Sequence, residues 1–109
     1  MKISNLIYRE DKWCKGCLAT TKEGRKLQNL NVHHYDGGRE INPASTCVSF
    51  SLYGAVVHLY GGNGQGDISA RLGDAVRKYT KSNVYLAAFN DDESTTFEDI
   101  QNVLKIANL

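Results

Sequence analysis

At 109 residues the chain is long enough to bury one modest hydrophobic core without a metal or disulfide staple, so a single domain spanning 1–109 is expected. The 13 basic and 12 acidic residues leave a formal net charge of +1, which excludes a global field that would draw in nucleic acid or an anionic membrane. Hydrophobic content of 41% and charged content of 23% suit a water-soluble globular protein, and no run approaches the roughly 20 apolar residues of a spanning helix.

The chain opens with Ile3, Leu6 and Ile7 at helical spacing, a short helix that ends in the charged cluster Arg9-Glu10-Asp11-Lys12. The segment lacks the apolar core of a signal peptide. Trp13 to Thr20 reads as a strand, Lys22-Glu23-Gly24-Arg25 as a turn with glycine where a positive φ is wanted, and Leu27 through Leu30 to Val32 as the return strand of a hairpin. Asp36-Gly37-Gly38 and Asn42-Pro43 are further turn signals. Val48 to Leu52 alternates as a half-buried strand does. Over the longer window Val48, Leu52, Ala55, Val56 and Leu59 share a helical face, which favours a helix over 44–60 with Gly61 at its end.

Gly61-Gly62-Asn63-Gly64-Gln65-Gly66 has the composition of a flexible linker. Asp67 then caps a helix over 67–80, with Ile68, Leu72, Ala75, Val76 and Tyr79 facing inward. Val84 to Phe89 has the length and content of a strand. Asn90 and Asp91 read as turning the chain, with Phe89 pinning that turn to the core. Two overlapping capping boxes follow, Thr95 with Glu98 and Thr96 with Asp99, so a helix start is strongly written although its register is not. Phe97, Ile100, Val103, Leu104 and Ala107 give that last helix, 96–108, one apolar face.

The chemistry-bearing groups each have a bland alternative. Cys14-Lys15-Gly16-Cys17 has the spacing of half a zinc site or of a redox pair, and His33, His34 or Cys47 could complete a metal shell. No second C-x-x-C and no H-x3-5-H pair accompanies it, so structural thiols are the default, and no cofactor is implied. Cys47 could act as a nucleophile with His33 or His58 as base and Asn90 or Asp91 as orienter. His58, on the same expected helix about three turns on, lies too far away. The glycine-rich segment lacks the Lys-Ser/Thr of a phosphate loop, and Asp67 would repel an anion there. His33, His34, Tyr35 and Arg39 gather on one turn the residue types that concentrate in protein-binding hot spots, and Asp91, Asp92 and Glu93 would attract a basic partner. The odd cysteine count fits a reducing, cytoplasmic setting.

Three blocks, Trp13 to Arg25, Ser49 to Val56, and Phe89-Asn90-Asp91 with Thr95 or Thr96, resemble an uncharacterised small-protein family of actinobacteria and phages. The corresponding family blocks are W-x-x-G-x-x-A closed by G-R, aromatic-Cys-x-x-Gly-Ala-Leu on a helix, and W-N-D followed by T-x-x-E/D-V. Ser51 stands where that family commonly has cysteine, which counts against a mechanism needing a thiol there. The resemblance supports a helical second block and carries no reaction. It implies a phage or mobile-element setting, in which small proteins often block a host or defence protein.

The expected fold is α+β, an N-terminal hairpin against three principal helices, with Trp13, Phe50, Val56, Leu72, Leu86, Phe89 and Val103 in the core. The expected function is a non-enzymatic protein-binding module that occludes a larger partner, in the manner of an anti-CRISPR inhibitor of a bacterial defence complex. The alternatives are a cysteine hydrolase built on Cys47 with a loop histidine, and a small metal-binding module through Cys14 and Cys17.

Overall fold

The computed structural model describes residues 1–28, 30, 34–36, 39–41, 47–61 and 65–109. The fold is α+β, as expected, and its sheet is built around the Gly24 turn. Gly24 takes φ +84, the left-handed conformation that glycine adopts without steric cost. The turn lets β1 (Ala19–Thr21) pair antiparallel with β2 (Lys26–Leu27). The hairpin is shorter than the sequence suggested. Trp13 makes only an isolated parallel bridge to Phe50, and Cys14 to Leu18 form a loop in place of a strand. The return strand ends at Leu27, and its expected end at Val32 lies outside the described residues.

The expected helix over 44–60 is half corrected. Cys47–Phe50 is a strand, β5, which lies antiparallel on the other edge of β1 and completes a sheet of order β2-β1-β5. Ser51 then caps α2 (Leu52–Tyr60), its hydroxyl accepting from the Gly54 amide at 3.0 Å. The alternation of 48–52 and the helical spacing beyond it were therefore both real, one after the other. Residues 34–36 (β3) and 39–41 (β4) pair antiparallel with each other in a second sheet that shares no strand with the first.

The remaining helices wrap the core. α1 (Ile3–Leu6) buries Ile3, and a 3-10 turn covers Glu10–Lys12. α3 runs Gln65–Thr80, so Asp67 sits inside its first turn and does not cap it, and Gln65 and Gly66 are helix where a linker was expected. Of the glycine-rich linker, residues 62–64 lie outside the described residues, as do the glycines of the 36–38 turn and the Asn42-Pro43 turn. The strand expected over 84–89 is instead the short helix α4 (Leu86–Asp91). Its apolar run is too brief for periodicity to separate the two states, and Ala87-Ala88 favours helix.

α5 (Phe97–Ala107) takes the second of the two possible boxes, Thr96 with Asp99, and ends at Asn108 in the left-handed conformation at φ 56. It packs along α3, burying Ile100, Val103 and Leu104. Each such side chain contributes on the order of 2 kcal/mol relative to exposure. Phe50, Val56, Leu72, Phe89 and Val103 are buried as expected, but Trp13 and Leu86 are only half-buried against the core. Among the described residues no helix is long and apolar enough to cross a membrane.

Candidate functional site: a junction centred on Asn90

Asn90 does not turn the chain. It lies in α4, 1% exposed, and its amide joins three segments that are distant in sequence. Oδ1 accepts from the Trp13 indole Nε1 at 2.9 Å and from the Leu52 amide at 3.0 Å. Nδ2 donates to the Cys14 carbonyl at 3.0 Å and to Asp91 Oδ1 at 2.9 Å. A carboxamide has two acceptor and two donor positions, so Asn90 is saturated. The Leu52 amide is one of the donors that a helix start leaves without an intrahelical partner, and Asn90 supplies that partner from outside.

The neighbouring side chains continue the clamp. Asp91 Oδ1 also accepts from the Gly16 amide at 2.9 Å, and Lys15 Nζ donates to the carbonyls of Asp92 at 2.6 Å and Thr95 at 2.8 Å. The Lys15 ammonium stands 5.1 Å from the Trp13 ring centroid, within cation–π range. On the opposite side the Leu18 carbonyl accepts from both the amide and the hydroxyl of Ser51. Gly54 follows one turn later, where an added Cβ would lie 1.8 Å from that same carbonyl oxygen. Only glycine lets α2 approach the 14–18 loop this closely. A shallow cavity of about 200 Å³ remains beside the clamp, lined by Cys17, Gln28, Ser51, Tyr53 and Asp91 among others.

The cysteines flank this junction. Cys14 and Cys17 hold their sulfurs 3.3 Å apart, Cys17 buried and Cys14 half-buried. Burial, then the Cys17 thiol, pushes the Cys14 thiol up to about 12. Cys47 begins β5 and does not sit at a helix N-terminus, and burial followed by Cys17 raises its thiol as well. The nucleophile of a cysteine hydrolase needs the opposite shift, and a saturated Asn90 has no group left to orient a histidine. His58 stacks on Phe50, ring centroids 4.8 Å apart. Among the described residues no group of three or more His, Cys, Asp or Glu side chains is placed to hold a metal.

The acidic turn has local duties. Asp92 accepts from the Ser94 hydroxyl at 2.6 Å and amide at 2.8 Å, which hold its carboxyl below the usual range. Glu93 is exposed. His34 and Tyr35 lie on β3 and Arg39 on β4, while His33 lies outside the described residues. The structure thus brings Asp91 and Asp92 to the junction. Sequence reasoning missed Ser51, Gly54 and Lys15 as parts of one site. The Ser51-x-x-Gly54 spacing carried a cap signal, but nothing local pointed to Lys15.

The architecture defines a small α+β domain whose sequence blocks meet at a hydrogen-bonded junction. Over residues 2–108 the chain matches a family described as a family of unknown function (DUF6197), and it belongs to that family. No curated protein and no solved structure matches it.

Proposed function

We propose that the chain is a non-enzymatic protein-binding module that acts by occluding a surface of a larger partner. One contrast carries this reading. Asn90 and Asp91, the expected orienting groups of a catalytic set, are taken up in holding the fold, whereas the separate β3–β4 sheet bears Tyr35 and Arg39, residue types that anchor interfaces. His33, His34, Asp91, Asp92 and Glu93 complete the proposed contact set. Small size and near-neutral charge support a protein partner over nucleic acid. A bacterial defence complex of the kind anti-CRISPR proteins block is the proposed partner class. The resemblance to small proteins of actinobacteria and phages supports it, with action in the cytoplasm.

Affinity purification of the full chain from bacterial hosts, read by mass spectrometry, is expected to recover a stoichiometric protein partner. The double variant Tyr35→Ala, Arg39→Ala is expected to lose that partner while keeping the wild-type circular dichroism. Recovery of no stoichiometric partner across several hosts overturns the proposal, as does undiminished capture by the folded double variant.

A further inference from the structure

The loop between Trp13 and Leu18 is fixed from several sides. The Cys14 amide donates to the Phe50 carbonyl at 3.1 Å, the Gly16 carbonyl accepts from Gln28 Nε2 at 2.9 Å, and the Leu18 amide donates to Leu27 at 2.8 Å. With Asn90 on the Cys14 carbonyl, Asp91 on the Gly16 amide and Ser51 on the Leu18 carbonyl, six backbone groups of this short loop are anchored. Gly16 takes φ +74, which turns the chain back so that both sulfurs fall on the same side. The result is a sulfur–sulfur contact of 3.3 Å, leaving a little over ~1 Å of travel to a covalent bond.

We propose that Cys14 and Cys17 are a reversible dithiol–disulfide pair, oxidised by a low-molecular-weight disulfide such as oxidised glutathione. The pair is independent of the partner-binding reading. Cys17 is 5% exposed and Cys14 is the more open of the two, so the external disulfide meets Cys14. The Cys14 thiol gives its proton to solvent, and its thiolate attacks one glutathione sulfur. The S–S bond breaks and one glutathione thiolate leaves and takes up a proton. Cys17 then loses its proton and attacks the Cys14 sulfur of the mixed disulfide, expelling the second glutathione. Two protein thiols are oxidised to one disulfide, and one glutathione disulfide is reduced to two thiols.

Cys14 faces Cys17, Ser49 and Asp91. Its thiol, pushed up to about 12 chiefly by burial, is almost wholly protonated at neutral pH. The first step is therefore slow, and its rate rises about tenfold per pH unit from roughly pH 7 to 10.

The test treats the reduced full chain with oxidised glutathione and reads intact mass, followed by peptide mapping. Wild type and Cys47→Ser are expected to lose about 2 Da through a Cys14–Cys17 bond. Cys17→Ser is expected to stop at a lasting glutathione adduct on Cys14. Emission from Trp13, next in sequence to Cys14, is expected to fall on oxidation and return with reductant. Lasting adducts on wild type without the mass loss overturn the proposal, as does a bond that requires Cys47 or a pH-independent rate. Added Zn(II) retained through desalting, with both thiols then inert to the oxidant, overturns it in favour of a metal site.

Discussion

The Asn90 junction and the start of α5 are built from the same kinds of side chain in neighbouring stretches of sequence, yet they hold the chain differently. At α5 the capping box is local. Thr96 Oγ1 accepts from the Asp99 amide at 3.2 Å, and Asp99 Oδ2 accepts from the Thr96 amide at 2.8 Å. At the junction the partners of Asn90 lie 38 residues away at Leu52, and 76 and 77 residues away at Cys14 and Trp13. The local box fixes where one helix begins. The junction fixes where the loop, α2 and α4 sit relative to one another, so damage there spreads beyond one element.

Substitutions sort by this difference. The largest effect is expected at Gly54→Ala, whose Cβ would overlap the Leu18 carbonyl at 1.8 Å and force α2 off the loop. A loss of about 4 kcal/mol in urea unfolding, followed by Trp13 fluorescence, is expected. Wild-type stability for this variant would mean that the close approach is not there. Asn90→Ala comes next, at about 3 kcal/mol, because it leaves the Leu52 amide, the Trp13 indole and the Cys14 carbonyl without their partner. Thr96→Ala is expected to cost about 1 kcal/mol, the ordinary value of one cap, and to fray only the first turn of α5.

The smallest effect is a pH dependence at Asp99. The Thr96 backbone amide, and then the Tyr79 hydroxyl at 2.7 Å, hold its carboxyl below the ordinary value. A depressed folded-state pKa contributes stability above the unfolded value of about 4 and loses it as pH falls through the folded value. The stability gap between wild type and Asp99→Asn should therefore shrink as the pH is lowered from about 5 toward 2, and an unchanged gap would contradict the assigned hydrogen bonds. The site is largely solvated, so the change is a small one.

What could be read from sequence follows the same division. The Gly24 turn, the end of α2 at Gly61 and the Thr96–Asp99 box are encoded within a few residues, and they were legible. Strand β5 was only half legible: the alternation of Val48 to Leu52 signals it, but what decides it against the longer helical pattern is the edge offered by β1 nearly thirty residues earlier. Helix α4 reads as a strand in sequence because six residues, Val84 to Phe89, are too few to show a period. Asn90 reads as a turn residue because its local sequence, Phe-Asn-Asp, matches one, and the groups it bonds arrive from two other segments. The same blindness applies to Lys15, whose acceptors are carbonyls and carry no sequence signal at all.

Hydrogen exchange at two protons tests the junction most directly. The Leu52 amide and the Trp13 indole N–H both end on Asn90 Oδ1. In folded wild type both are expected to be strongly protected. In Asn90→Ala both are expected to exchange much faster, while the Asp99 amide in the α5 cap keeps its wild-type rate. Rapid exchange of the two protons in wild type, or equal protection with and without the Asn90 side chain, would contradict the claim that this residue joins the three segments.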